Sequence, residues 1–506
     1  KDLGSNSLRS IPLEVPKPWL PYKEYSIDDY LDVITTDNPP PRAGYEGAIV
    51  LDPEPGIYLD DPVGVVDYAS LYPSSIIEKN ISHDTLIEDP KYLEHLDPSE
   101  YETITYDNYI YEEEEGKITI SKKRSLTKPT ITCHYLKRQE GKPAGIIPTV
   151  VQQLLDQRRA TKKRLKNETN EFKKGVLESL QLAYKLVANS VYGQTGARTS
   201  PIYKNILAAS TTAIGRERIY DAKTGVEDRW WKESEWAIKN GCRPPKVIYG
   251  DTDSVFIKWQ RFKNDVELTG KEALEFCIEC GKDAGEWVTQ HMLHKPQDLE
   301  YEKTFYPFIL VSKKRYVADQ FEFDINSCKR KSMGIVLKRR DNAPIVKHVF
   351  GNVIEKIMID KDLDKAVEWL KQTLADIIDG KFPMSYFIIT KSLRGYYKNP
   401  GSIAHKVLAD RIGERDPGNK PKAGDRIPYV YHKVDEDPIY LGTYKNGNPK
   451  YKKRTILQGD RIEDPEYVRK HNKEIDYKFY ITNQIMNPVK QVLDLGDIET
   501  DTIFKI

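Results

Sequence analysis

Apolar and polar positions alternate in short runs through the first half of the chain and fall into helical spacing in two later stretches. Gly47-Ala48-Ile49-Val50-Leu51 and Gly64-Val65-Val66-Asp67 read as short strands around the turn-forming Asp52-Pro53-Glu54-Pro55-Gly56. Residues 1–42 are proline-rich and end in Pro39-Pro40-Pro41-Arg42, the pattern of a linker or surface strap. Residues 82–145 are polar, tyrosine-rich and irregular, which predicts a loop-rich insertion with a hairpin or two. Apolar Val150, Val151, Leu154 and Leu155 predict a helix from Thr149 to about Asn167 that turns basic. Leu177, Leu180, Leu182 and Leu186 predict a second from Glu171 to about Tyr192, and the polar Asn167-Glu168-Thr169-Asn170 between them suits an antiparallel helix hairpin. Strand, turn and strand follow at 246–249, 250–253 and 254–257, and alternation resumes at 308–311 and 315–318. From Asn342 the pattern is mainly helical, broken by a basic Pro/Gly-rich stretch between Lys391 and Tyr431, and no internal repeat occurs.

At 506 residues the chain exceeds what one core usually supports, so several domains are expected. No apolar run approaches the length of a membrane span, and the opening Lys1-Asp2-Leu3-Gly4-Ser5-Asn6 lacks the plan of a signal peptide. It also lacks an initiator Met, so a processed product or an expressed fragment is expected. Five scattered cysteines suit a reducing compartment. The CxxC at Cys277 and Cys280 has no partner pair nearby and reads as helix packing. Net charge is only +1, but residues 151–175 hold eight Lys/Arg against three Asp/Glu, and basic residues again dominate from Ser385 to Arg454. Such runs are usually solvated faces and carry little alone.

The sharpest local feature is Tyr249-Gly250-Asp251-Thr252-Asp253-Ser254. Two carboxylates at i and i+2 between apolar strands repel unless a cation neutralises them, with Gly250 expected to ease the turn. An ordinary Asp-rich hairpin is an equally good reading of this segment alone. Asp67, at the end of an apolar strand, is also well placed for metal, or else it caps a helix. Arg158 and Lys162 share a helix face at i and i+4, as do Lys185, Asn189 and Tyr192. Cations converging across a helix hairpin call for an anion, and a triphosphate is the natural one.

Together these segments resemble the B-family DNA polymerases, especially the delta-like enzymes of eukaryotes and large DNA viruses. Asp67 to Ile76 is similar to the first palm motif, Lys185 to Gly193 to the fingers motif, and Tyr249 to Ser254 to the second palm motif. Lys313-Lys314-Arg315-Tyr316, Arg339-Arg340-Asp341-Asn342, Gly424-Asp425-Arg426-Ile427-Pro428-Tyr429 and Ile475-Asp476-Tyr477 match further motifs in the family's order.

The resemblance implies an α+β right-hand polymerase with an antiparallel-sheet palm, helix-hairpin fingers and a mainly helical thumb. The implied parts are a strap (1–42), palm (43–147, with the 82–145 insertion), fingers (148–193), palm again (194–341) and thumb (342–506). It implies template-directed addition of deoxynucleotides to a primer 3′-hydroxyl, with pyrophosphate released. Asp67, Asp253 and the Tyr68 backbone would hold two Mg²⁺ ions, Mn²⁺ being a possible substitute, with Asp251 in support. Arg158, Lys162 and Lys185 would grip the triphosphate, helped by Asn189 and by the amides of Ser70 and Leu71, and Lys185 could protonate the leaving pyrophosphate. Tyr72 would be the steric gate against ribonucleotides, and Tyr192 and Gly193 would floor the nascent base pair. Lys314 and Tyr316 would touch the primer end, and Arg339, Arg340, Arg394 and Arg426 would bind DNA.

Measured against the family pattern, the N-terminal and exonuclease domains and the cysteine-rich C-terminal module are absent from the 506 residues, so no proofreading is expected of this chain. Expected partners are primer–template DNA, deoxynucleoside triphosphates, and a sliding clamp or a chain carrying the absent domains, with no membrane. The expected place is the nucleus or a viral replication compartment in the cytoplasm. The rivals are a catalytically silent DNA-binding relative, a protein-primed polymerase and a reverse transcriptase.

Overall fold

Alternating Val, Ile and aromatic residues in residues 56–333 form one seven-stranded antiparallel sheet. Its strands are β1 (Gly56–Tyr58), β2 (Val63–Tyr68), β3 (Lys246–Asp251), β4 (Ser254–Lys258), β5 (Leu299–Ser312), β6 (Arg315–Phe321) and β7 (Cys328–Met333). They run in the order β7-β6-β5-β2-β4-β3, with β1 also paired to β5. The computed structural model describes residues 45–107, 111–114, 117–120, 130–139, 141–338, 341–434, 439–443, 448–452 and 456–505. The expected strap and the expected DNA contacts Arg339 and Arg340 lie outside them.

The chain divides into two units. One comprises residues 1–46 and 105–132, and its described part includes a hairpin that pairs Tyr111–Glu114 with Lys117–Ile120. The other, residues 47–104 and 133–506, holds all that follows. In this second unit the supposed strand at 47–51 forms no ladder: Val50 makes an isolated bridge to Asp251, the Leu51 amide donates to the Gly250 carbonyl (2.9 Å) and the Ile49 carbonyl accepts from Thr252 N (3.1 Å). A real strand, β1, begins instead at Gly56, just past the two prolines that deny the preceding turn its ladder donors.

Period-two alternation on β2 sends Val66 and Tyr68 to one face and Val63 and Val65 to the other. The first face is covered by α4 (Asn205–Thr224) and α5 (Gly270–Met292), through residues such as Ile219, Phe276 and Trp287, with Trp230 just beyond α4. Cys277 and Cys280 lie buried in this layer, as ordinary helix packing requires. The second face carries an aromatic cluster of Tyr249, Phe256, Phe305, Phe308 and Tyr316. The same alternation puts Asp67 on that second face, just beyond Val65.

After β2 the chain turns through Ser70, whose left-handed φ of 59° starts the short helix α1 (Leu71–Glu78). Next come the two long helices, α2 (Ile146–Asn167) and α3 (Glu171–Gly196), close to the expected bounds. Gly145 offers α2 no side-chain cap, so its first amides bond to the turn after α1. Asn80 accepts from Gly145 N (2.9 Å), Asp84 from Ile146 N (3.2 Å) and Ser82 Oγ from Ile147 N (3.2 Å). On α3 only Leu177 of the four expected core leucines is buried, while Leu180, Leu182 and Leu186 are exposed.

A buried ion pair fixes α1 against α4. Arg218 Nη2 lies 3.2 Å from Glu78 Oε1, with both side chains at most 6% exposed. Gln297 Nε2 donates to Glu78 Oε2 (3.0 Å) and Ser75 Oγ (3.1 Å). Arg218 also pairs with Asp221 and with Glu217 (3.6 Å), so Glu78→Ala leaves it partly neutralised while removing a buried acceptor, and is expected to cost about 1–3 kcal/mol in denaturant unfolding. A loss below about 1 kcal/mol, the range of an exposed pair, would mean that Asp221 and Glu217 suffice to neutralise Arg218.

Beyond the sheet, helices α6 (Pro344–Glu355), α7 (Leu363–Ile378), α8 (Ala404–Arg415) and α9 (Met486–Leu493) surround a second large core. This region is less purely helical than the pattern suggests. The basic interruption folds into strands β8 (Ile389–Ser392) and β9 (Arg426–Tyr431), joined by β10 (Ile462–Glu463).

Candidate active site

Strand register brings the two key carboxylates together. Asp67 on β2 stands opposite Ser254 of β4, and the Tyr68 amide donates to the Asp253 carbonyl (2.8 Å). Asp67 is therefore a strand residue, and the N-cap of α1 is Ser70, so the capping alternative falls away. In the turn between β3 and β4, Thr252 adopts φ 65°, a left-handed conformation that is costly for a β-branched residue. Strain of this kind persists where surrounding structure over-determines it, and it clusters at functional sites. Gly250 does not ease this turn. A Cβ there would stand 2.7 Å from Leu51 Cδ1 and 3.0 Å from Ile219 Cδ1, so glycine is needed for close packing.

The carboxyl of Asp67 is pushed up to about 8, first by burial and then by the neighbouring Asp253 and Glu302, against the pull of Lys303 and Lys185. Asp253 is raised as well, chiefly by burial. Two half-buried carboxylates that cannot both ionise comfortably could together hold a divalent cation, with the Tyr68 carbonyl at the same strand end. Asp251 differs. Both its oxygens accept from Lys314 Nζ (2.8 and 3.0 Å), and Tyr249 OH, which also accepts from Lys314 N (2.9 Å), lies 3.4 Å from Oδ2. That engagement gives Asp251 a supporting place.

Facing the acidic pole is a cationic one. Lys185 acts on both Asp67 and Asp253 through space. Lys162 is pulled down by burial and then by Arg158, with Lys185 adding to it, so the three expected phosphate-gripping cations lie within range of one another. Arg158 reaches Gln181 Oε1 on α3 and Ser70 Oγ at the start of α1, both at 3.4 Å. Tyr72 and Tyr192 meet with ring centroids 4.4 Å apart, while Asn189 is exposed and Gly193 faces open space.

A scan of family models matches residues 23–495 to DNA polymerase family B. The chain belongs to DNA polymerase family B. Among curated proteins it is 41% identical to a DNA polymerase of Pyramimonas orientalis virus, over 90% of this chain and 38% of that relative. It is 34% identical to the DNA polymerase delta catalytic subunit of Candida albicans, again over 90% and 38%. A DNA polymerase of Acanthamoeba polyphaga mimivirus is 49% identical over 49% of this chain. The chain thus spans about two-fifths of the length of the first two relatives.

Within this family B chain, the remaining expected residues fare unevenly. Tyr316 is 5% exposed, within the aromatic cluster, because alternation on β6 turns it inward. Arg394 and Arg426 are exposed around the β8–β9 pair, with Arg426 Nη2 held by the Thr390 carbonyl (3.1 Å). Sequence reasoning missed Glu300 and Glu302. Glu300 stands across from Asp67 on β5, and Glu302 raises both Asp67 and Asp253. The strict alternation of Leu299-Glu300-Tyr301-Glu302, buried then exposed, was the available signal.

Proposed function

We propose that this chain is the polymerising core of a DNA polymerase, extending a primer 3′-hydroxyl with deoxynucleotides against a template. The observation that carries this reading is the meeting of Asp67 and Asp253, both half-buried and raised, with Lys185, Lys162 and Arg158 on the helix hairpin. In this reading the sheet is the palm, α2 and α3 are the fingers, and residues from 342 onward are the thumb. Asp67, Asp253 and the Tyr68 carbonyl hold two Mg²⁺ ions. Bound there, the ions lower the pKa of the attacking hydroxyl and neutralise charge on the triphosphate.

The chain's own groups do the positioning. Arg158, Lys162 and Lys185 take the phosphate oxygens, and the amides of Ser70 and Leu71 meet them from the palm side. Lys185 is placed to donate a proton to departing pyrophosphate. The Tyr72 ring occupies the space a ribose 2′-hydroxyl needs, and Tyr192 and Gly193 offer a flat floor to the base pair. Lys314, Arg394 and Arg426 give the DNA backbone and primer end cationic partners, with binding that weakens as salt rises. Primer–template DNA and deoxynucleoside triphosphates are the substrates, and the delta-like relatives favour a sliding clamp as partner.

The metal assignment has a readout that does not depend on activity. An unfolded Asp titrates near 3.9, whereas folded Asp67 titrates at about 8. Between those values the folded chain keeps a proton that the unfolded chain releases, so without metal this group makes stability fall as pH rises through the window. Mg²⁺ must displace that proton. It is therefore expected to raise the melting temperature more at pH 8 than at pH 6, and Asp67→Asn is expected to remove the difference. An equal Mg²⁺ effect at both pH values would count against Asp67 as a ligand.

A further inference from the structure

We propose that Gly215, in the middle of α4, sets the position of the Tyr72 ring and so helps determine sugar selectivity; this rests on the reading of Tyr72 as the steric gate. Glycine is a poor helix former, and Gly215 lies buried well inside α4. Its reason for being there is spatial. A Cβ at 215 would stand 2.9 Å from Tyr72 Cε1, closer than real Cβ contacts allow. The next neighbours, Leu71 Cδ2 at 3.4 Å and Tyr72 Cδ1 at 3.6 Å, are ordinary contacts. The obstacle to a side chain is therefore the edge of one tyrosine ring.

That ring has little freedom to yield. Tyr192 of α3 meets it with centroids 4.4 Å apart and planes inclined at 39°. The backbone beneath it belongs to α1, which Leu71 anchors in the core and the Glu78–Arg218 pair ties to α4 itself. The buried residues of α4 before Gly215 are mostly small (Ala208, Ala209, Ser210, Thr211, Thr212), which lets α1 lie close. A methyl at 215 thus presses on the ring rather than on a flexible chain end. Discrimination between a 2′-hydrogen and a 2′-hydroxyl depends on where that ring lies to within a fraction of an ångström, so moving it degrades selection.

The test is single-nucleotide primer extension by the full chain, comparing kcat/KM for a deoxynucleotide and its ribonucleotide in four proteins. They are the wild type, Gly215→Ala, Tyr72→Ala and the double variant. Tyr72→Ala is expected to raise ribonucleotide use. Gly215→Ala is expected to lower the deoxy/ribo ratio roughly tenfold, as small misplacements at reacting sites do. In the Tyr72→Ala background the same change is expected to move the ratio less than about twofold, because the ring it presses on is gone. Melting temperature gives a second readout. Gly215→Ala should lower it while the Tyr72 ring is present, and raise it in the Tyr72→Ala background, where only the gain in helix propensity is left. A Gly215→Ala chain that selects like the wild type, alongside a relaxed Tyr72→Ala, overturns the role of Gly215, as do equal melting shifts in both backgrounds. Unchanged selection in Tyr72→Ala itself removes the gate reading, and the role of Gly215 with it.

Discussion

Asp253→Ala is expected to reduce Mg²⁺-dependent primer extension by roughly 10⁴-fold or more, since each tenfold is about 1.4 kcal/mol and a metal centre supplies several kcal/mol of charge stabilisation. Asp67→Ala should do the same. Neither change should unfold the chain. Both relieve the cost of holding a carboxyl group away from water beside acidic neighbours, so the metal-free variants are expected to melt at or above the wild-type temperature above about pH 8, the usual exchange of activity against stability at a charged site. Asp251→Ala should be milder, because Asp251 is engaged by Lys314. Single-turnover incorporation and thermal melting, measured on the same preparations, check all three. Equal, mild losses for Asp251→Ala and Asp253→Ala would erase the distinction drawn between them.

Lys185→Leu is expected to cost roughly 10²–10³-fold in the rate of incorporation, the scale of losing one preorganised donor aimed at developing charge. Lys185 acts on both carboxylates of the acidic pole and on Lys162 of the facing helix, so its charge stands where the two poles meet. Lys185→Arg keeps that charge and should recover part of the rate. An arginine cannot release a proton near neutral pH, so only the lysine enzyme should show a basic limb in its pH–rate profile if Lys185 is the acid. Equal activity in the two variants would sink the proposal that Lys185 donates a proton.

The parts of the fold that could be read in the chain were those where one local rule decides. Alternation gave β2, β3 and β4, whereas the pairing of Asp67 with the turn at Asp251-Thr252-Asp253 came from the family resemblance, the strand pattern alone leaving each carboxylate with a second reading. Helical spacing gave α2 and α3 nearly to their ends. What could not be read depends on contacts remote in sequence. Gly250 looked like a turn glycine, but its need arises from Leu51 and Ile219. Tyr316 was expected to touch the primer end, and its place in the aromatic cluster comes only from its position on β6. Leu180, Leu182 and Leu186 supported the prediction of a helix, yet they lie exposed on α3. Glu300 gains meaning only through its register with Asp67.

The most direct test is a single-turnover experiment in which the full chain is given a primed template, Mg²⁺ and one deoxynucleoside triphosphate at a time. The expected result is extension by the nucleotide complementary to the next template base, with one pyrophosphate per addition and no reaction without a divalent cation. A folded chain that binds the primed template but adds no nucleotide with Mg²⁺ or Mn²⁺ would contradict it, leaving a DNA-binding member of the family that has lost catalysis.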